Sequence, residues 1–276
     1  MTAFRLPAGG RIDRSRALAF TFAGRRMRGH PGDTLASALL ANDTLLVGRS
    51  FKYHRPRGIV AAGADEPNAL VELGAGARRE PNLRATEVEL YDGLEARPVN
   101  AWPSLAYDAG ALAGLFSRLL AAGFYYKTFM WPRGLWRRLY EPAIRRMAGL
   151  GKAPTEPDPD LYDKTHAHAD VLVVGGGPAG LAAALAAGRT GARVILADEG
   201  CELGGGLLAR RERIDGRPAM DWVGAAVEEL ARLPEVTLLP RTTVFGYYDH
   251  NHLCMVERLT DHLGPAAGRG PRQRLW

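Results

Sequence analysis

The sequence predicts two domains of different fold class, an α+β domain followed by an α/β domain. Three observations support this prediction: short alternating segments before residue 92, a Pro-rich stretch near residue 155, and a glycine-rich turn near residue 175. A length of 276 residues fits roughly two domains. Apolar residues make up 46% of the chain and charged residues 24%, which excludes wholesale disorder.

The first domain is predicted from four short strand-like segments around one helical segment. The expected strands are residues 17–22, 26–28, 69–73 and 86–91. Asp33 or Thr34 is placed to cap a helix that runs through Leu40. Strand–strand–helix–strand–strand is the outline of a β-grasp domain, which we place at residues 15–92.

Residues 93–168 are predicted to be a connecting segment. Aromatic residues and arginines are dense between Tyr107 and Arg146, and three prolines with acidic neighbours then form a linker. The favoured interpretation is a segment that packs between domains or subunits. A base-stacking nucleic-acid surface is the alternative, but no nucleic-acid motif accompanies the aromatic residues.

The remainder, residues 169–276, alternates strands and helices. The expected strands are 170–174, 193–197, 236–239, 243–247 and 254–258, and the expected helices run to Gly188 and over 220–233. This order predicts a Rossmann-type dinucleotide-binding domain that is incomplete at its C-terminus. The 18 uncharged residues from Val171 to Gly188 are long enough for a membrane span, but the internal Gly-Gly-Gly-Pro indicates strand, turn and helix instead.

The turn carries a G-x-G-x-x-G motif between a strand and a helix, the context that makes this motif specific. Gly175 permits the tight turn, Gly177 lets the backbone approach a diphosphate, and Gly180 allows close helix–strand packing. Pro178 and Ala179 begin the helix, whose N–H groups and positive dipole end point at the phosphates. The motif therefore predicts a dinucleotide site.

An acidic pair follows the second strand. Asp198 lies 18 residues after Gly180, where a carboxylate accepts hydrogen bonds from the adenosine ribose, and Glu199 is a weaker candidate for the same role. A carboxylate there repels a 2′-phosphate, so NAD or FAD is favoured over NADP. The alternative is a solvated loop carboxylate.

Two further elements are candidates for the same nucleotide. The triple glycine that includes Gly205 and Gly206 brings backbone close to the diphosphate from a second side, unless it is simply a flexible loop. Val244, in the next strand region, places backbone groups beside the adenine. No residue has the neighbours expected of a catalytic acid, base or nucleophile, so no catalytic residue is predicted.

The charge and the cysteine content argue against nucleic-acid-binding and metal-binding proteins. The net charge of +6 is moderate and the arginines are dispersed, so a nucleic-acid partner is not expected. The two cysteines and seven histidines form no metal-ligand pattern. The N-terminus lacks the apolar core of a secretory signal, and we expect a cytoplasmic protein without a membrane segment.

Five sequence elements, taken in their order along the chain, indicate a protein family more specifically than any single motif does. They are residues 32–42, the Ser-Phe-Lys-Tyr-His-Arg-Pro-Arg-Gly run at 50–58, the turn at 175–180, residues 195–199 and residues 245–251. Together they resemble the alpha subunit of heterotetrameric sarcosine oxidase, over nearly the whole chain. Because alpha subunits of that family are far longer, the chain is expected to be an N-terminal portion.

The resemblance implies a fold and an activity. It implies a [2Fe–2S]-ferredoxin-like β-grasp domain followed by a dinucleotide domain, in an oxidoreductase subunit with beta, gamma and delta partners. The complex would oxidise sarcosine with oxygen, giving glycine and hydrogen peroxide and passing the methyl carbon to tetrahydrofolate. Alpha would bind NAD, with FAD and FMN elsewhere in the complex, and this portion alone would be inactive.

Carried over to this sequence, the resemblance implies that the 175–180 turn surrounds the diphosphate of NAD. Asp198 and Glu199 would hold the ribose, and Gly200, Gly206 and Val244 would line the nucleotide. FAD is the alternative at the same site. Residues 17–91 contain no cysteine, so an iron–sulfur cluster is not expected.

Two alternative functions remain. One is a subunit of a related amino-acid or opine dehydrogenase, in which iron–sulfur cysteines are often present. The other is a non-catalytic nucleotide-binding module whose role is to hold partner subunits together.

Overall fold

The structure is a computed structural model that describes residues 4–276, apart from the side chains of Tyr125, Tyr126, Pro265 and Ala266. The chain divides into two compact units. The first comprises Met1–Ala61 and Glu66–Pro159, and the second comprises Ala62–Asp65 and Asp160–Trp276.

The first unit is built around a mixed five-stranded sheet. Its strands are Leu18–Phe22 (β1), Arg25–Gly29 (β2), Gly48–Arg49 (β3), Pro56–Arg57 (β4), Leu70–Leu73 (β5), Glu80–Arg84 (β6) and Leu94–Pro98 (β7), and its first helix is Leu35–Ala41 (α1). The sheet order is β2-β1-β7-β5-β6, and β3 pairs separately with β4. The β1–β7 pair is parallel, whereas the other neighbours in the large sheet are antiparallel.

Alternation along β1 and helical spacing along α1 build the core of this unit. Leu18, Phe20 and Phe22 point inward from β1 and are buried. Helix α1 buries Leu35 and Leu39, four positions apart, against the same cluster. Thr34 caps the helix, since its side chain accepts a hydrogen bond from the Ser37 N–H at 3.2 Å.

The prediction of a strand at residues 86–91 is wrong. Alternate residues of this segment are buried as in a strand, but its backbone forms hydrogen bonds with residues at the N-terminus of α1. Val88 O accepts from the Leu35 N–H at 2.8 Å, and the Leu90 N–H donates to Asp33 O at 2.9 Å. The segment thus satisfies helix-end groups that have no intrahelical partner.

Two strands that the sequence did not predict complete the sheet. Strand β6 contains Pro81 and Asn82, and Pro is tolerated there because β6 is an edge strand. Strand β7 pairs with β1 through Leu94 and Ala96, both of which are buried. The sheet therefore extends past residue 92, where the sequence placed the end of this domain.

The remaining helical segments of the first unit are short. They are the 3-10 helices Ala109–Phe116 and Arg133–Leu135, helix Phe124–Lys127 (α2), the π-helical turn Trp136–Tyr140 and helix Glu141–Met147 (α3), with a further 3-10 turn at Gly76–Arg78 between β5 and β6.

The second unit contains a parallel sheet and a second, mixed sheet. Its strands are Tyr162–Lys164 (β8), Val171–Val174 (β9), Val194–Ala197 (β10), Arg213–Ile214 (β11), Arg217–Pro218 (β12), Val236–Leu239 (β13), Thr242–Tyr248 (β14), His252–Arg258 (β15) and Gln273–Leu275 (β16). Its helices are Pro178–Gly188 (α4), Ala219–Arg232 (α5) and the 3-10 helices Gly205–Ala209, Asp249–Asn251 and Asp261–Ala267.

The parallel sheet has the order β13-β10-β9, and α4 and α5 pack on it through a shared core. Helix α4 connects β9 to β10, so the order strand, turn, helix and strand is as predicted. Among residues 4–276, no helix combines the length and the apolar character that a membrane crossing requires.

The second sheet has the order β14-β15-β16-β8. Strands β14 and β15 lie where the sequence predicted strands, whereas β8 and β16 were not predicted. Because β8 pairs with β16, more than 100 positions later in the chain, no local pattern reveals this pair. Strand β8 also lies before residue 169, where the sequence placed the start of this domain.

Candidate functional site

The glycine turn joins the end of β9 to the start of α4. Gly175 has a φ of +99°, a conformation that residues with a Cβ rarely adopt. Its N–H donates to Ala197 O at 2.8 Å, which ties the turn to the end of β10. A Cβ on Gly180 would lie 1.9 Å from Gly175 O, so the helix and the turn approach closely only because residue 180 is glycine.

The tip of α4 is open. Gly177 is its N-cap and provides no side-chain cap, Pro178 is its first residue, and Pro178 and Ala179 are exposed. The N–H groups of Ala179 and Gly180 lie in the first turn, where no intrahelical acceptor exists. The helix tip therefore combines accessible donors with the positive end of the helix dipole.

The space at this tip also fits a close ligand. A Cβ on Gly177 would meet only Gly205 Cα, at 3.9 Å, and a Cβ on Gly206 would meet no atom within 4 Å. Gly205 and Gly206 are exposed beside the turn. The predicted diphosphate site thus has donors, room and two glycine-rich walls.

Asp198 is half-buried and lies beside the turn. Its Oδ2 accepts from the Gly176 N–H at 2.5 Å, and its Oδ1 accepts from the Gly200 N–H at 2.7 Å. A carboxylate has about four lone-pair positions, so it can hold two backbone donors and still accept from a ribose hydroxyl. Asp198 therefore has a structural role that the sequence did not predict, besides its predicted ligand role.

Glu199 is held from the side of β14. The Thr243 hydroxyl lies 3.5 Å from Glu199 Oε2, and the Arg258 guanidinium donates to the Glu199 carbonyl. The structure thus places Glu199 next to the strand that contains Val244.

Val244 lies inside β14 and is partly buried against a small core cluster that includes Ile195 and Met255. A β-bulge between Val244 and Gly246 interrupts the pairing of β14 with β15. The side chain of Val244 therefore contributes to packing, while its predicted contact with adenine stays a prediction.

Gly176 is the residue of this site that sequence reasoning missed. It is buried, its N–H binds Asp198, and its carbonyl accepts from the Gly204 N–H at 2.8 Å. It therefore links the three loops of the site. The signal was present in the run of three glycines, but the motif assigns no role to the middle one.

The side chains of the first unit do not include the ligands that an iron–sulfur cluster needs. Such clusters are held by Cys thiolates, in some cases with His, and residues 15–101 contain no cysteine. The cysteines of the chain are Cys201 and Cys254, both in the second unit. Within residues 4–276, no three His, Cys, Asp or Glu side chains are grouped to hold a metal ion.

Two family models match the chain. Residues 15–101 match a 2Fe-2S iron-sulfur cluster binding domain, and residues 170–233 match the FAD dependent oxidoreductase family. The first unit therefore contains a ferredoxin-like domain, and the glycine turn lies within the second match.

A solved structure shows the same fold. L-proline dehydrogenase from P. horikoshii superposes with a TM-score of 0.53 at 17% sequence identity, over 95% of this chain and 40% of that one. At this identity the likeness concerns the fold alone.

Curated relatives match over nearly the whole chain. The sarcosine oxidase subunit alpha of Rhizobium meliloti (strain 1021) is 61% identical over 100% of this chain and 28% of its own length. The subunits alpha of Corynebacterium sp. strains U-96 and P-1 are 41% and 42% identical over 98% and 100% of this chain, and over 23% and 24% of their own lengths. The chain is therefore a homologue of sarcosine oxidase alpha subunits, of which it spans about a quarter of the length.

Proposed function

We propose that this chain is the nucleotide-binding, N-terminal portion of the alpha subunit of a flavin-dependent sarcosine oxidase. The whole complex would convert sarcosine to glycine with oxygen, releasing hydrogen peroxide and passing the methyl carbon to tetrahydrofolate. The homology with sarcosine oxidase alpha subunits and the FAD dependent oxidoreductase match support this assignment.

One observation supports nucleotide binding by this chain: the open tip of α4 lies beside Asp198. The N–H groups of Ala179 and Gly180 would donate to a diphosphate, and Asp198 would accept from the ribose hydroxyls. Glu199, Gly200 and Gly206 would line the same nucleotide, and Val244 would lie beside its adenine. These residues bind and orient the nucleotide, whose redox chemistry belongs to the nucleotide itself.

NAD is the proposed occupant and FAD is the alternative at the same site. Both contain the adenosine diphosphate half that the helix tip and Asp198 are suited to hold. The resemblance implies NAD, whereas the match to an FAD dependent oxidoreductase family favours FAD. The nucleotide released from the denatured full-length protein, identified by mass spectrometry, decides between them.

The binding proposal is tested by adding one methyl group to the helix tip. A Cβ on Gly177 meets no atom of the chain closer than 3.9 Å, and the φ of −72° suits any residue. We expect Gly177→Ala to lower the melting temperature only slightly, because alanine is a poorer N-cap than glycine. Dinucleotide binding should weaken at least about tenfold, because the methyl group occupies the space of the diphosphate.

Gly224→Ala is the matched control. Its Cβ would also meet no atom within 4 Å, and it lies in α5, away from the turn. Calorimetric titration of the full-length protein and both variants with NAD, and separately with FAD, measures the effect. Equal affinities for Gly177→Ala and Gly224→Ala would contradict the proposed site.

The activity and the partners are tested on the assembled complex. We propose beta, gamma and delta subunits as partners, consistent with the relatives being named as subunits. Co-expression of the full-length alpha chain with these subunits should give sarcosine-dependent hydrogen peroxide formation. A stable complex without that activity would favour the alternative amino-acid or opine dehydrogenase.

A further inference from the structure

The first unit exposes a large set of apolar side chains in one segment, residues 102–152, here named the aromatic segment. Trp131 is 80% exposed and Leu115 is 79% exposed. Others that are at least half exposed are Trp102, Tyr107, Leu112, Phe116, Leu119, Met130, Leu139 and Leu150. Clustering of exposed large apolar side chains in one segment is typical of an interaction surface in a folded protein.

The aromatic segment is held in place by four consecutive residues of the 50–58 run. Phe51 packs on Gly149, where an added Cβ would lie 2.7 Å from Phe51 Cβ. The Lys52 ammonium lies 5.1 Å from the Phe124 ring centre, and the Tyr53 hydroxyl donates to Leu120 O at 2.7 Å.

The fourth anchor is polar and buried. His54 Nδ1 lies 2.7 Å from Asp108 Oδ2, and the Asp108 side chain is fully buried. Asp108 also accepts from the N–H groups of Trp102 and Gly110. The 50–58 run therefore fixes both ends and the middle of the aromatic segment, so its apolar side chains are displayed from a defined backbone.

The aromatic segment has a net positive charge. It contains eight basic residues and two acidic ones, an excess equal to the net charge of +6 of the entire chain. Both acidic side chains are already engaged, Asp108 with His54 and Glu141 with Arg145. The complementary surface is therefore acidic at its rim and apolar at its centre.

A cleft lies beside the start of the segment. It has a volume of about 350 Å³ and is lined mainly by apolar residues, among them Phe22, Met27, Leu45 and Leu105. Residues 104–106 line it, and they lie between the exposed Trp102 and Tyr107 in the sequence. Such a cleft suits an apolar anchor side chain of a partner.

We propose that the aromatic segment docks a partner polypeptide with an acidic rim and an apolar centre. The proposal rests on the proposed function, which makes the chain a subunit and its companion subunits the candidate partners. Six arginines against two lysines, together with exposed Trp, Tyr and Met, match the composition of protein interfaces.

The test uses the full-length alpha chain with the beta, gamma and delta subunits as probes. The double variant Leu115→Asp/Trp131→Asp removes apolar contacts, and Arg137→Glu/Arg138→Glu inverts the charge at exposed positions. We expect each to weaken assembly at least about tenfold, and the charge variant to lose part of its effect at high salt. Leu161→Asp and Arg210→Glu/Arg211→Glu are the matched controls at exposed positions of the second unit and should assemble normally.

Wild-type assembly by both variants would overturn the proposal. Side chains of Leu115 and Trp131 that resist hydroxyl-radical labelling in the full-length alpha chain alone, or binding to anionic phosphatidylserine vesicles that the variants lose, would also overturn it. Circular dichroism identifies a variant that fails to fold, and the other variant then decides. If the wild-type alpha chain binds NAD but does not assemble with the subunits, only the docking proposal is overturned. If it assembles but binds no nucleotide, only the proposed nucleotide site is overturned.

Discussion

Glu66 shows how a single buried charge organises a loop. It is 1% exposed, and its two oxygens accept four backbone N–H groups, from Val60, Ala61, Asn68 and Ala69, at 2.7–2.9 Å. Burial raises the pKa of Glu66, but the four N–H donors outweigh it and hold the pKa below its ordinary value of 4.5. The carboxylate is therefore the form that the loop is built to hold.

We predict that Glu66→Gln destabilises the protein by about 2–4 kcal/mol at pH 7, because the amide nitrogen faces N–H donors that lose their acceptor. The folded-state pKa is depressed, so the wild-type advantage is present above the unfolded pKa and is lost as pH falls through the folded value. Urea unfolding from pH 7 to pH 3 measures the difference between the two proteins. Glu95→Gln, on an exposed side chain, is the control, and an equally large effect there would contradict the prediction.

At the scale of elements, one ion pair joins the starts of β9 and β10. Asp170 Oδ1 accepts from the Arg193 guanidinium at 2.7 Å, and its Oδ2 accepts from the Arg193 N–H at 2.9 Å. The side-chain hydrogen bond and then the backbone hydrogen bond of Arg193 lower the pKa of Asp170 to about 2. The pair is in contact with solvent, so its main effect is to align the two strands that present the glycine turn.

We predict that Asp170→Asn lowers the melting temperature at pH 7 and that the difference fades as pH falls from about 4 to about 2. The direction follows because a depressed folded pKa stabilises the protein only while the carboxylate is ionised. Carboxyl NMR titration should give Asp170 a pKa near 2, and thermal melts across pH measure the stability. An Asp170 that titrates at its ordinary value of 3.8 would refute the pair as a solution contact.

At the scale of the whole molecule, the ferredoxin-like domain has no cysteine that could bind an iron–sulfur cluster. Its sheet and α1 enclose a continuous apolar core that includes Phe20, Leu35 and Val71. Because the members of that core are almost fully buried apolar side chains, we infer that burial of apolar surface stabilises the domain. In the docking proposal, its role is to present the aromatic segment.

We predict that the 276-residue chain binds no iron–sulfur cluster, because residues 15–101 contain no cysteine thiolate to act as a ligand. Anaerobic incubation with ferrous iron and sulfide, followed by desalting and elemental analysis, should leave iron far below two atoms per chain. A parallel sample of a plant-type ferredoxin shows that the reconstitution works. Stoichiometric iron and sulfide in this chain would overturn the prediction.

The features predicted correctly are those that neighbours in the sequence decide. A β-branched run, a glycine that tolerates a positive φ and an apolar helix predict the turn at 175–180 from adjacent residues alone. The cap at Thr34 and the period of β1 are local in the same sense. The sequence by itself therefore determined where the candidate diphosphate site lies.

Only the tertiary structure decided which segments pair. Residues 86–91 and Leu94–Pro98 have similar alternation, and the difference is that one faces the N-terminus of α1 while the other meets β1. The double contact of Asp198 with Gly176 and Gly200 likewise depends on three loops meeting in space. Hydrogen bonds between distant backbone groups leave no periodic trace in the sequence, because their partners are chosen by the packing of the whole unit.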